Sequence, residues 1–538
     1  MKWWVLGVVL VATACAPGPG VRTEQATQVT SPPESNLEWS VCRDQLVELM
    51  TDWECAWVDA PLDHDDPAGD TISVALSRPV LDEGDTRRPL VLNPGGPGGS
   101  GIALAWSLVD LLPPDLLDEY YPVGWDPRGV GRSLPAVDCG DFDDFAIPDV
   151  QVCIDRTGPL LAQVGAADSA LDLEYVRAAL GVERLDYLGY SYGTALGAVY
   201  SMAHPDRVGR FVLDGAVDPT AGDPDGPLAV DGVPDYAADE TEAAIDRFHE
   251  LCDASAACAA GPHSEVLLDQ LEVTIRDLPT AQFSGEPVQM ERIDLEELMI
   301  GAMFDPWSWG LIGDALADGA DGDASTLAAL SSYFINGYPE PPPDETPLTE
   351  FGSAHFAIYC ADFGHVEGVW ECEGMPEADR LPLIDPVDVT DPILVVGTEF
   401  DPSTPGRHAA ELAAALDDAV AIIWEGVGHT AFPVDACLDD LVVGYLVDGS
   451  VPDDGATCPF VEGMTTDAEL GDYLFEYPPD WIEGLIEDVL VAEGEGTSIA
   501  FCRAGELSDD DHRVVTHILL GVESDQADEA KATADAAC

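Results

Sequence analysis

Lysine is almost missing from this chain: Lys2 and Lys531 are the only two in 538 residues, and 21 basic residues stand against 103 acidic ones. A formal net charge of −82 repels phosphate backbones and anionic lipid headgroups, which argues against a nucleic-acid partner. Without lysines there is no G-x-x-x-x-G-K-S loop to cradle a nucleotide. No C-x-x-C pair and no His-Glu-x-x-His helix occurs among the 13 cysteines and 10 histidines, so neither a metal nor a cofactor is expected. The apolar run at the N-terminus, Trp3 to Ala14, is twelve residues and too short to span a bilayer as a mature helix.

What is present points to export. Lys2 and the apolar run read as a signal segment over residues 1–15. Val11-Ala12-Thr13-Ala14-Cys15 has the small residues before cysteine of a bacterial lipobox, with Cys15 as a lipid anchor and the only expected membrane contact; ordinary cleavage near Ala14 or Ala16 is the alternative. Residues 16–36 contain Pro17, Pro19, Pro32 and Pro33 and read as a tether. Removing Cys15 leaves twelve cysteines, an even number suited to an oxidising compartment. Local spacing makes Cys42/Cys55, Cys139/Cys153, Cys252/Cys258, Cys360/Cys372, Cys437/Cys458 and Cys502/Cys538 plausible bridges, although sequence alone fixes no connectivity. The acidity fits a salt-adapted surface or simply an acidic exported protein.

The most informative stretch is Leu185 to Thr194, a strand running into Gly189-Tyr190-Ser191-Tyr192-Gly193 and then small helical residues. A serine on a sharp strand-to-helix turn needs nearly bare neighbours two positions away on each side. With 24 serines and 51 glycines, chance supplies such a pentapeptide in about one chain of five, so the context must decide.

Upstream, Val58 to Pro79 reads as a hairpin around an aspartate-rich turn at 63–70. The strand Pro89 to Leu92 opens into Asn93-Pro94-Gly95-Gly96-Pro97-Gly98-Gly99-Ser100-Gly101, a loop able to bring bare N–H groups to an oxyanion. Strand 121–125 leads to Asp126 and Arg128, expected as a buttressing ion pair. A helix over 168–181 precedes the serine turn, and strand 210–215 follows it. Short strands alternating with helices predict a parallel sheet covered on both faces. Residues 219–385 then read as mainly helical, acidic and loop-rich, in the place of an inserted cap. Strand character returns at Pro392–Gly397 and Ala419–Trp424; the turns beyond these strands carry Asp401 and His429.

The order Ser191, Asp401, His429 is that of an α/β-hydrolase triad. On this reading His429 takes the Ser191 proton and returns it to the leaving group, and Asp401 orients the imidazole. Backbone N–H groups of Gly96 and Tyr192 form the oxyanion hole. Thr404 can bond Asp401 or merely shape its turn, and Asp214, also past a strand, is the rival acid.

These motifs, with Asp126-x-Arg128-Gly129-x-Gly131, Asp401-Pro402-x-Thr404-Pro405 and Gly428-His429-Thr430, together resemble the secreted tripeptidyl aminopeptidase-like serine peptidases of actinobacteria, α/β-hydrolases related to proline iminopeptidases. The resemblance spans about residues 40–460. It implies an α/β-hydrolase core in two parts, 37–218 and 386–459, the second a TAP-like C-terminal region, around the cap at 219–385. It also implies an exopeptidase that takes short peptides from free N-termini and acts as a monomer without cofactor. Asp362 is a candidate to hold the substrate ammonium. The alternatives are a carboxylesterase with the same triad and a catalytically silent binding lipoprotein. Residues 460–538 match nothing in that pattern and read as an acidic extension.

Overall fold

A computed structural model describes residues 37–42, 53–140, 148–221, 235–278, 290–336, 351–364 and 381–461, with short stretches at 282–283, 286–287, 372–376, 378, 466–467 and 470. The signal segment, Cys15, the tether, the Cys502/Cys538 pairing and most of the C-terminal extension lie outside the described residues.

Among the described residues ten strands form one sheet in the order β1-β2-β3-β5-β4-β6-β7-β10-β11-β12. They are β1 (Ser40–Val41), β2 (Trp53–Pro61), β3 (Thr71–Pro79), β4 (Arg88–Asn93), β5 (Tyr120–Asp126), β6 (Leu185–Tyr190), β7 (Val208–Asp214), β10 (Ile393–Phe400), β11 (Ala419–Val427) and β12 (Ala456–Pro459). The intervening β8 (Gln282–Phe283) and β9 (Glu286–Pro287) make a separate two-stranded pair. The expected hairpin is β2–β3, paired antiparallel from Trp53↔Pro79 to Pro61↔Thr71. From β5 to β12 every neighbouring pair is parallel.

Parallel strands need both faces covered, and their alternating side chains enter two cores. Leu90 and Leu92 share one core with Leu188, Val212, Leu394 and Val396. Val91, Tyr187, Phe211, Leu213, Ile393 and Val395 enter the other. Crossover helices include Gly101–Leu108, Ala166–Leu180, Tyr192–Ala203 and Arg407–Leu416.

Between β7 and β10 the described residues are mainly helical: Asp235–Ala254, Ser264–Thr274, Arg292–Met303, Trp309–Ala320, Ser325–Asn336 and Phe351–Asp362. Phe248, Leu295, Leu298, Met303, Trp309 and Ile312 pack in the same cluster as the Leu90 face of the sheet, so this insert is continuous with the core rather than a detached lobe.

Five disulfides close as spacing suggested: Cys42–Cys55, Cys139–Cys153, Cys252–Cys258, Cys360–Cys372 and Cys437–Cys458. Their number fits an extracytoplasmic protein. Among the described residues no helix is long and apolar enough to cross a membrane.

One expectation is corrected. Asp126 and Arg128 are both fully buried but do not pair. Asp126 accepts from Ser100 Oγ at 2.6 Å, Ile102 N at 3.1 Å and Arg132 N at 2.8 Å. Arg128 instead clamps Asp172, at 2.8 and 2.6 Å, and the carbonyls of Pro61, Leu62 and Gln163. A buried guanidinium needs several acceptors in different directions. The helix Ala166–Leu180, Gln163 just before it, and the end of β2 with the turn that follows supply them.

Candidate active site

Ser191 lies between β6 and the helix Tyr192–Ala203, with φ 52° and ψ −125°. Such a backbone costs about 1–3 kcal/mol and persists only where its surroundings enforce it. Here Ser191 N donates to Asp214 O at 2.8 Å, and Thr194 N and Oγ1 donate to Ser191 O at 2.8 and 2.7 Å. The bare neighbours have a visible cause. A Cβ on Gly193 would lie 2.9 Å from the Asn93 carbonyl and carboxamide oxygens, and one on Gly189 would lie 2.6 Å from Gly193 O.

The glycine loop after β4 packs directly against this turn. A Cβ on Gly95 would stand 2.7 Å from Tyr192 N, so only glycine permits that approach. Asn93 Oδ1 accepts from Gly95 N at 2.9 Å, and Gly99 N closes the loop onto Gly95 O at 3.0 Å. Gly96 and Tyr192 both line the cavity that Ser191 faces.

Asp401 and His429 meet from the ends of β10 and β11. His429 Nδ1 is 3.0 Å from both carboxylate oxygens of Asp401. Asp401 is fully buried and accepts four further bonds, from Ser403 N (2.8 Å), Thr404 N (2.7 Å), Thr404 Oγ1 (2.9 Å) and Thr430 N (3.2 Å). Thr404 therefore both bonds the carboxylate and shapes its turn. Burial alone pushes the His429 pKa down, but the Asp401 charge and hydrogen bond outweigh it and hold the imidazole above its ordinary 6.5. Gly215 marks the convergence: a Cβ there would lie 3.0 Å from Thr404 Oγ1, 3.0 Å from Thr430 Cγ2 and 3.6 Å from Ser191 N.

Asp214, the rival acid, points elsewhere. Its carboxylate accepts from Ala431 N at 3.1 and 3.0 Å and from Phe432 N at 2.7 Å, holding the loop that follows His429. Burial raises its pKa to about 7 against those two backbone donors.

Asp362 does not stand where a substrate amine would meet it, which corrects the expectation for this residue. It is completely buried, and its two oxygens accept from Ala166 N at 2.9 Å and from the Tyr192 hydroxyl. Burial lifts its pKa to about 7. On the same helix His355 Nδ1 meets Pro97 O at 2.9 Å, and a Cβ on Gly98 would strike His355 N at 2.8 Å. His355 and Asp362 are seven residues apart, hence on one helix face. Through them the helix Phe351–Asp362 grips both the glycine loop and Tyr192. That spacing was visible in the sequence; what each residue would face was not.

The cavity holds about 290 Å3. Gly96, Pro97, Ser191 and Tyr192 line it together with Ile300, Phe304, Tyr359 and Phe363 on or next to the inserted helices. Phe304 stands edge-on to His429, 5.4 Å between centroids, and its carbonyl accepts from His429 N at 3.2 Å. Sequence reasoning missed these residues of the insert because they lie on or next to helices with no motif of their own.

Comparison with known proteins agrees with this geometry. A family model for the alpha/beta hydrolase fold matches residues 88–246, and one for TAP-like proteins matches residues 360–458. The serine protease Hip1 of Mycobacterium tuberculosis is 30% identical over 526 residues, covering 85% of this chain and 97% of that one. Carboxylesterase B of the same organism is 29% identical over 498 residues, covering 82% and 92%. A tripeptidyl aminopeptidase of Streptomyces lividans is 33% identical over 213 residues, covering 35% of this chain and 39% of that protein. With the fold, the strained serine turn and a full-length match of this kind together, the chain belongs to the TAP-like α/β hydrolases and is a serine hydrolase.

Proposed function

We propose that the protein is an exported aminopeptidase that releases short peptides from free N-termini by way of an acyl-enzyme. Ser191 Oγ attacks the scissile carbonyl while His429 Nε2 takes its proton. The tetrahedral oxyanion is held by the N–H groups of Gly96 and Tyr192. His429 then protonates the leaving amine, and a water, deprotonated by the same imidazole, hydrolyses the ester on Ser191. Asp401 keeps Nδ1 protonated, which leaves Nε2 as the acceptor, and stabilises the imidazolium that forms.

The observation carrying the reading is the bond between His429 Nδ1 and the buried Asp401, 3.0 Å to each oxygen, beside a serine with φ 52°. A catalytically silent fold has no use for that strain. The peptidase branch draws on the names of two relatives, a serine protease and a tripeptidyl aminopeptidase, and on a cavity that the inserted segment helps to line. A carboxylesterase is the second reading, favoured by the relative of that name and the largely apolar lining. The N-terminal segment is read as a lipid anchor at Cys15, and the enzyme as a monomer.

Free and N-acetylated peptide p-nitroanilides assayed beside short-chain p-nitrophenyl esters test this. The expected result is preferential cleavage of free-amine anilides. Turnover of esters alone would replace the peptidase by the esterase. Failure of Ser191 to react with a fluorophosphonate would remove enzyme activity altogether.

A further inference from the structure

With Asp362 sequestered, a peptidase of this kind still needs an acceptor for its substrate's ammonium group. We infer that Asp218 is that acceptor and that it sets the register between the free N-terminus and the scissile bond. The inference rests on the aminopeptidase reading above.

Asp218 is the only carboxylate among the described residues lining the cavity. Its Oδ1 accepts from Thr220 N and Thr220 Oγ1, both at 2.7 Å. Those two bonds fix the rotamer, and among the described residues no donor hydrogen-bonds Oδ2. His408, which lines the same cavity, has a lowered pKa because burial outweighs the pull of Asp218, so its ring is neutral near pH 7. Arg407 is drawn off by Glu240. A half-buried carboxylate in a cavity otherwise lined largely by apolar side chains is a site for one cation, since ionic hydrogen bonds strengthen as water is excluded.

The position of Asp218 is also tied rigidly to the nucleophile. Ser191 O accepts from Thr194 Oγ1 at 2.7 Å, and the same Oγ1 accepts from Val217 N at 3.0 Å. Ala221 N closes back onto Asp218 O at 3.0 Å. Two hydrogen bonds through one hydroxyl thus link Ser191 to the residue before Asp218. An enzyme that counts from a chain end requires such a fixed distance between the charge it recognises and the carbonyl it attacks. Ile300, Phe304, Tyr359 and Phe363, which line the same cavity, would take the apolar side chains of the peptide between the two points.

The test uses the full chain and its Asp218→Asn and Asp218→Glu variants. Two rates are measured on each: kcat/KM for tri-alanine p-nitroanilide, and the second-order rate of fluorophosphonate labelling at Ser191. The probe has no amine, so the quotient of the two rates cancels any general damage to fold or nucleophile. In Asp218→Asn the quotient is expected to fall by about ten- to a hundredfold, the worth of an ionic hydrogen bond. Asp218→Glu should recover part of that loss. A quotient within about threefold of wild type in Asp218→Asn overturns the assignment while leaving the peptidase reading intact. Wild type that cleaves the N-acetylated anilide as fast as the free one overturns both.

Discussion

Replacing Asp401 by asparagine changes no volume and tests the arrangement at its electrostatic centre. The carboxylate receives six bonds in all. Oδ1 is gripped by two backbone donors at 2.7 and 2.8 Å, so the single oxygen of asparagine settles there. Its NH2 then occupies the Oδ2 position, facing His429 Nδ1, Thr430 N and Thr404 Oγ1. The hydroxyl can turn round and accept, but the imidazole can oblige only by accepting at Nδ1 and carrying its proton on Nε2. That tautomer cannot take a proton from Ser191. The expected loss in kcat is about 10^4-fold, some 5.5 kcal/mol of transition-state stabilisation.

Asp214→Asn is the comparison that makes the result discriminating. Asparagine there keeps one acceptor for Ala431 N and Phe432 N and brings an NH2 group towards one of those donors. The loop after His429 shifts, but the histidine tautomer is untouched, so the loss should stay below about a hundredfold. Steady-state rates on the preferred p-nitroanilide, with Tm measured on each variant to exclude unfolding, read both out. Full activity in Asp401→Asn with a thousandfold loss in Asp214→Asn would refute the assignment of the acid.

Other outcomes follow from the same geometry. His429 must be neutral to act as a base, and its pKa lies above 6.5; kcat/KM should therefore fall as pH drops through a midpoint above that value, and in residual-activity profiles of Asp401→Asn the midpoint should move down, because burial is then opposed by the Asp214 charge alone. Asp362→Ala orphans two buried donors, Ala166 N–H and the Tyr192 hydroxyl, each worth about 1–3 kcal/mol. Calorimetry should show a lower Tm and kinetics a lower kcat as Tyr192, next to Ser191, loses its brace, whereas Asp362→Asn, which can still accept from one donor and donate to the tyrosine oxygen, should lose far less. With a formal net charge of −82, Tm is expected to rise from low to molar NaCl as self-repulsion is screened; a flat or falling curve would reject a salt-adapted surface.

The parallel strands that carry the site were legible because bare-backbone turns and apolar runs depend on local sterics, which a sequence displays directly. Gly189 and Gly193 flank Ser191 for reasons measurable as collisions in the structure, and Asp401 and His429 follow their strands as read. The errors occurred where one buried charge had to choose among several partners. Arg128 lies two residues from Asp126, yet the helix Ala166–Leu180 brings Asp172 to it in bidentate geometry and with 0% of either side chain exposed. Asp362 and Asp218 show the same difficulty inverted. Both are acids near the ends of local motifs, and nothing along the chain says which one ends behind Tyr192 and which ends beside the nucleophile. Only the fold decides that, because the helix Phe351–Asp362 comes from an insertion whose packing angle no local pattern encodes. Burial separates the two acids: one is completely enclosed by its partners, and the other is half-buried and lines the cavity. The acid that a substrate can reach must be the one the protein leaves incompletely satisfied, and that inverts the sequence's first choice.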